Sequence, residues 1–542
     1  MKLKRSIGLF GIMCASLGGM VGSGWLFGSL YAAQMAGPAS IISWLIGGFC
    51  IMFLALTFAE LTAMFPISGG VAAFPIFTHG KLVGFILTWI TWITYVVSIS
   101  QEVQSTILYM GNKFPSLVQK VNENNVFTPF GYMACFLTML VLIFLNSFGA
   151  KFLANANNFI SVWKLLVPFA VVVVFLFTSH NFSNMGIGSS SPHEFAPNGI
   201  NGIFSAVALA GVVYSFCGFQ HAALLAGESK RPQRDIPLAL ILSILIAIAL
   251  YTGLQYAFIT ALPESALANG WKSISFVGDS GPLAGLAASL GVIWLVTVLY
   301  IDAVISPFGT GVLYVASSAR IVQTMSQSGN SPKFFAKISK SGIPMRAIFL
   351  NLVVSMLAFL PFSGWKAIVS FLSSALIFSF AVGPICLIAL RKQQPERRRP
   401  FNLPFYKVFA FIAFYVCNLM IYWSGWNVIW KLGVTVITGF VVFVISNYLS
   451  RNTLDPEHVA TKLDFKCAWW LIPYMLIFCV ISYYSSFEGG QHLIPNGWDF
   501  LVVAVFSLLI FILSVKFCLP KAESDKNTAS ILAKKGNTNC CS

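Results

Sequence analysis

The sequence predicts an all-α protein that crosses a membrane about fourteen times. Three observations lead there. Of the 542 residues, 57% are hydrophobic and only 9% charged, a balance outside the range of water-soluble domains. The apolar residues come in blocks long enough for the roughly 20 residues that a spanning helix needs. A bilayer offers the backbone no water, so each block must satisfy its own N–H and C=O groups as a helix, and the short alternating segments of a membrane barrel are not seen.

The expected blocks are 7–35, 39–64, 82–110, 130–147, 157–178, 200–227, 237–261, 283–317, 346–361, 365–390, 405–425, 427–449, 467–485 and 497–519. The net charge of +16 would suggest nucleic acid in a soluble chain. Here its placement predicts orientation instead. With the N-terminus inside, 27 of the 33 Lys and Arg fall on the inner side and 5 at outer positions, which places both termini in the cytoplasm. The remaining one, Lys164, lies within the fifth block. The basic start resembles a signal peptide, but the apolar pattern runs on to residue 35 and reads as the first span. Eleven Cys are scattered without the spacing of metal ligands or of a disulfide framework. The tail, 521–542, is expected to be disordered, with Cys540 and Cys541 as incidental thiols rather than lipidation sites.

Two blocks are interrupted. Gly18-Gly19-Met20-Val21-Gly22-Ser23-Gly24 puts four Gly and one Ser in seven residues, about eleven residues and therefore roughly 16 Å into the first block, near the bilayer midplane. Each Gly costs a helix about 1 kcal/mol relative to Ala, so the run is expected to unwind, and unwound backbone at that depth must be buried in protein or line a cavity. The sixth block carries Tyr214-Ser215-Phe216-Cys217-Gly218-Phe219-Gln220-His221 in mid-span. Interrupted helices at corresponding places in two five-helix halves point to an inverted-repeat transporter with its site at the midplane. A half-helix starting at Ser23-Gly24-Trp25 offers N–H groups and a positive dipole end to a carboxylate. The ends before it and in the sixth block offer carbonyls to an ammonium. Such a site suits the zwitterion common to α-amino acids.

The same residues resemble the amino acid, polyamine and organocation permease superfamily. Gly22-Ser23-Gly24-Trp25-Leu26-Phe27 is similar to its GSGIF motif. Phe58-Ala59-Glu60-Leu61 through Phe65-Pro66-Ile67-Ser68-Gly69-Gly70 resembles the end of its second helix. Gly227-Glu228-Ser229-Lys230-Arg231-Pro232-Gln233-Arg234-Asp235-Ile236-Pro237 resembles the loop after its sixth helix, and Ser318-Ala319-Arg320 the loop after its eighth. The length and the Ser424-Gly425-Trp426 region look most similar to bacterial aspartate–proton symporters. The resemblance implies the leucine-transporter fold: a core over 1–400 with inverted repeats at about 7–178 and 200–390, and four added helices over 401–520. It implies no cofactor, an amino acid and a proton as partners, and a bacterial inner membrane as the location. Ser23 and Gly24, with Gly22, would then bind the substrate carboxylate. The carbonyls of Met20, Tyr214 and Cys217, beside Gly218, would take its amino group, with Tyr214 or Phe216 in an aromatic gate. Trp25 and Gln220 depart from the family pattern, the latter standing where several members have Glu. A group other than a helix-six carboxylate must then carry the proton.

Lys164, about six residues from the cytoplasmic edge of its block, either snorkels to the interface or sits beside the broken first helix, where the resemblance implies a coupling role. Asp302 in the eighth block is either a structural hydrogen-bonding group or a proton carrier. Glu102 and Gln104 read as solvated near an outer helix end. Glu60 and Glu228 read as locks on cytoplasmic loops, and His221 as a packing residue or a contact to a substrate side chain. No Gly-Lys-Ser/Thr phosphate loop, catalytic motif or appended signalling domain is present, which argues against an ATP-driven pump, an intramembrane enzyme or a non-transporting sensor. A gradient-driven carrier remains, as a symporter or as an exchanger.

Overall fold

The computed structural model describes residues 7–67, 70–121, 124–147, 150–187, 194–274, 281–327, 331–339, 344–360, 364–451, 459–495 and 497–534. Each expected apolar block lies on helix. The first becomes α1 (Leu9–Met20) and α2 (Gly24–Ala36), followed by α3 (Ser40–Met64), α4 (Gly70–His79) and α5 (Lys81–Met110). The strands β1 (Val118–Val121) and β2 (Asn124–Phe127) precede α6 (Pro129–Ser147) and α7 (Ala150–Thr178). The sixth block becomes α8 (Gly199–Leu209), α9 (Val212–Phe216) and α10 (Gln220–Leu224). Then come α11 (Pro232–Ala261), α12 (Pro282–Ser289), α13 (Ile293–Gln327), α14 (Met345–Leu357) and α15 (Trp365–Gln393). The chain closes with α16 (Tyr406–Tyr422), α17 (Trp426–Arg451), α18 (Lys462–Ala468), α19 (Leu471–Tyr483), α20 (Trp498–Lys516) and α21 (Lys521–Lys534).

Among the described residues, ten helical stretches are long and apolar enough to cross a membrane, or eleven when the bent pair Gly199–Leu209 and Val212–Leu224 is one span. Leu9–Met20, Met345–Leu357 and Tyr406–Tyr422 are shorter apolar helices. The protein is an all-α, multi-pass membrane protein. Its helices sort by what they face. Nearly all of α15 is buried, and so is most of α5, whereas α6 turns Phe130, Leu137 and Phe144 outward and α17 turns out Val434, Ile437 and Val441. In water that exposure would be costly, but against lipid tails it is the solvated face.

Two features depart from the expected plan. The β1–β2 hairpin, paired from Val118 with Phe127 to Val121 with Asn124, adds a short antiparallel element between two spans. The second departure corrects the expectation for the tail: Lys521–Lys534 is helical, not disordered. Ser524, Thr528 and Leu532, spaced at i, i+4 and i+8, are all buried. Thr528 accepts from the Gln394 amide at 3.1 Å, Ser524 donates to Gln393 at 3.3 Å, and Leu519 N donates to Thr78 O at 2.7 Å. The polar pair at the end of α15 therefore anchors a segment whose composition alone looks solvated. Residues 535–542, with Cys540 and Cys541, lie outside the described residues.

Several span ends are tied together. Glu60 accepts from Arg391 at 2.8 and 2.7 Å and from Leu403 N at 2.9 Å, holding the end of α3 to the α15–α16 loop. Ahead of α1, Ile7 N donates to Glu228 O at 3.1 Å and Ile7 O accepts from Lys230 N at 2.8 Å. The loop after the sixth span thus pairs with the start of the first through the backbone of Glu228.

Candidate functional site

The first span does not unwind over the whole glycine run. Hydrogen bonding carries α1 through Gly18 and Gly19 to Met20, and Val21, Gly22 and Ser23 form the break. The sixth span breaks twice. Gly211 takes φ 84°, a left-handed conformation open to Gly, and a second interruption at Cys217–Phe219 separates α9 from α10. The two parts of the span meet at 45°. The breaks touch: a side chain on Gly218 would collide with the backbone of Gly19 and Met20. Only Gly permits that approach, and it brings the free ends of both broken helices to one centre.

At the N-terminal end of α2, Ser23 N donates to Glu102 Oε2 at 3.2 Å, and the Tyr214 hydroxyl donates to Glu102 Oε1 at 3.2 Å. In the amide orientation that pairs every group, the Gln101 oxygen accepts from the Ser23 hydroxyl and from Trp365 Nε1 at 2.8 Å. The Gln101 nitrogen then donates to the Tyr214 hydroxyl at 2.6 Å and to Glu102 at 3.2 Å. Trp365 closes the centre from above with Phe27 at 5.1 Å and Tyr31 stacked at 5.4 Å. The solvated reading of Glu102 fails. It is 1% exposed, enclosed where Ser23, Gly22 and Tyr214 meet it. A signal for this exists in the sequence: Tyr95, Ser98, Gln101, Glu102 and Ser105 form a polar stripe at helical spacing on an apolar helix, and such a stripe faces the bundle interior. Gln104 is buried as well.

At the C-terminal end of α1 the charge is reversed. Lys164 Nζ donates to Gly18 O at 3.1 Å and to Thr310 Oγ1 at 2.6 Å, and the residue is 1% exposed, so it does not snorkel. The break explains why Gly18 is available. In an unbroken helix its carbonyl would accept from Gly22 N, which instead donates to Met20 O at 3.1 Å. Glu102, Asp302 and His221 are the titratable groups close enough to feel the charge of Lys164. Gly22 sits between the two ends: a Cβ there would lie 2.9 Å from Glu102 Oε1 and 3.3 Å from Thr310 Oγ1.

The remaining candidates divide. Asp302 accepts from Trp163 Nε1 at 2.8 Å and from Ser306 at 2.6 Å and faces the indole of Trp25. The Met20 carbonyl also accepts from Tyr251 at 3.1 Å, and the Tyr214 carbonyl accepts from Cys217 N at 3.0 Å, so both are engaged within the protein. Tyr214 belongs to the centre. Phe216 does not: its ring packs outward against Trp44 at 6.0 Å and Tyr251 at 5.5 Å. Gly24 packs on α9, where a Cβ would stand 2.5 Å from Ser215 Oγ, so a large residue there would disturb helix packing as well as any ligand. His221 packs against Gly19. Gln220 is 2% exposed beside Tyr95, and neither its amide oxygen nor its nitrogen has a hydrogen-bond partner among the described residues.

The family model described as amino acid permease matches residues 7–444. A glutamate/serine transporter of Bacillus subtilis (strain 168) is 35% identical over 523 residues, 95% of this chain and 94% of that protein. An aspartate-proton symporter of the same organism is 34% identical over 526 residues, 96% and 98% of the two chains. A branched-chain amino acid permease, also from that organism, is 27% identical over 457 residues, 82% and 93%.

Proposed function

The chain belongs to the amino acid permease family and carries amino acids across a membrane, and from that premise we propose that it is a proton-coupled importer of acidic amino acids. The names of its two relatives at 34 and 35% identity, one an aspartate-proton symporter and the other a glutamate/serine transporter, support the substrate class. In this reading the N-terminal end of α2 at Ser23 and Gly24 receives the α-carboxylate, with Gly22 leaving the approach open. The Cys217 carbonyl receives the ammonium, joined by the Met20 carbonyl when Tyr251 gives way. The unpaired amide of Gln220, beside Gly218 and Tyr95, reads the side-chain carboxylate. Two inverted repeats, 7–178 and 200–390, would rock about this centre with 401–520 as four added helices, and both termini would lie in the cytoplasm of a bacterial cell.

The observation that carries the coupling is the Lys164 ammonium on the Gly18 carbonyl. Protonated, Lys164 ties the inner half of the first span to α7 and α13; deprotonated, it cannot make the same charged hydrogen bonds and that half is free to swing. To bias two orientations a hundredfold, the proton must be worth ~2.7 kcal/mol. Two hydrogen bonds from a charged donor, at about 1.5–3 kcal/mol each, are sufficient. Asp302 then tunes the surroundings of Lys164 rather than carrying the proton.

Uptake of labelled aspartate, glutamate, serine and leucine into proteoliposomes tests this under an imposed inward proton gradient. Aspartate or glutamate should accumulate, and a protonophore should abolish the accumulation. Uptake that ignores the protonophore but rises when the vesicles are preloaded with amino acid would identify an exchanger instead.

A further inference from the structure

The donor that this reading gives to the substrate is already engaged by a carboxylate of the chain. Ser23 N, on the first span, donates to Glu102 Oε2, and the Tyr214 hydroxyl, on the sixth, donates to Glu102 Oε1. A helix-end N–H and a hydroxyl are the partners that an amino acid's α-carboxylate would seek at the same place. We propose that Glu102 is a tethered surrogate for the substrate carboxylate: it seats on α2 in the unloaded carrier, is displaced when substrate binds, and by joining the two broken spans lets the unloaded carrier close and return. The inference rests on the assignment of Ser23 and Gly24 as the carboxylate seat.

Three features support the exchange of one carboxylate for the other. A carboxylate this deeply buried is costly unless donors meet it, so the seat and Glu102 stabilise each other, and an arriving carboxylate can take over the same donors at little net change. The displaced side chain has somewhere to go. Gly22 leaves the flank of Glu102 open, and beyond it lies Thr310, whose hydroxyl already meets Lys164. The charge in the centre would then be balanced by the Lys164 ammonium, whose field reaches Glu102. Finally, the contact bridges both broken spans, as a bound substrate would. A closed carrier with Glu102 seated and a closed carrier with substrate seated therefore present the same hydrogen bonds at α2.

The consequence separates two activities. Net uptake requires the carrier to return unloaded, whereas exchange returns it loaded. In Glu102→Ala, aspartate should bind more tightly, by about threefold to tenfold, because substrate no longer competes with an internal occupant. Zero-trans uptake should fall by at least about tenfold, as the unloaded form loses the link that closes it, while aspartate–aspartate exchange persists. Glu102→Gln, which keeps the shape and can accept a hydrogen bond but carries no charge, should lie between wild type and Glu102→Ala. Binding to the purified full-length protein and both fluxes in proteoliposomes read these outcomes. The proposal is overturned if Glu102→Ala and Glu102→Gln weaken aspartate binding and lose exchange together with uptake, which would make Glu102 a ligand of the substrate ammonium. It is equally overturned if affinity and the ratio of net uptake to exchange are unchanged. Failure of the wild-type protein to bind or exchange any amino acid would instead sink the underlying site assignment.

Discussion

The two ends of the break in the first span hold opposite charges in different ways. At the end of α1, the Gly18 carbonyl meets the ammonium of Lys164, which is also fixed to Thr310 on α13. At the start of α2, Ser23 N meets the carboxylate of Glu102, which is also bonded to Tyr214 on α9. The polarity follows the helix dipole, negative where a helix ends and positive where one begins. The partners differ in kind. The cationic end is tied to two unbroken helices, α7 and α13, while the anionic end is tied to one unbroken helix, α5, and through Glu102 to the other broken span. The difference teaches that the two ends of the break are held by separate contacts, so each can be changed without the other.

The most damaging change removes the ground both ends stand on. Gly218→Val would drive a side chain into the backbone of Gly19 and Met20, which cannot move aside without separating the two breaks. Uptake, exchange and aspartate binding should all be lost, and the variant should elute as aggregate or melt well below the wild type in detergent. Gly22→Ala comes next. Its Cβ would crowd Glu102 and Thr310 together, and overpacking of about 1–2 kcal/mol should lower uptake and exchange in parallel by roughly tenfold. A parallel loss would contrast with the split expected for Glu102→Ala; a split in Gly22→Ala would show that its Cβ disturbs one end of the break alone. Thr310→Val is the mildest. It removes one partner of Lys164 and leaves Gly18, a loss of about 1.5–3 kcal/mol. The pH profile of uptake should shift while the aspartate Kd stays within about twofold, an outcome that binding measured across pH can check.

The fold was legible because membrane helices must be long and apolar, a demand that composition meets openly in every block. The break near Gly18–Gly24 was legible for the same reason in reverse, since Gly clusters are expensive in a helix, though its extent was not: Gly18 and Gly19 stay helical because their carbonyls and flanks pack on Lys164, Ser161 and His221. Lys164 could be picked out as a lone charge in an apolar block. Glu102 could not be placed by depth alone, because the groups that enclose its carboxylate, Ser23, Gly22 and Tyr214, come from other parts of the chain. The helical spacing of its polar neighbours was the better guide. Between the gate candidates Tyr214 and Phe216, a two-residue step around a five-residue helix decides whether a ring faces Gln101 or Trp44. The tail helix rests on Gln393 and Gln394, more than a hundred residues away, a partner no local pattern announces.

Proton movement measured alongside substrate movement tests the central claim most directly. Proteoliposomes with a pH-sensitive dye inside, clamped at zero membrane potential, should acidify when aspartate or glutamate is added outside to the wild-type protein. Guanidinium stays charged throughout this pH range, so Lys164→Arg should give no acidification even where labelled substrate still exchanges. Acidification by Lys164→Arg or Lys164→Ala at the wild-type rate per substrate moved would contradict the account.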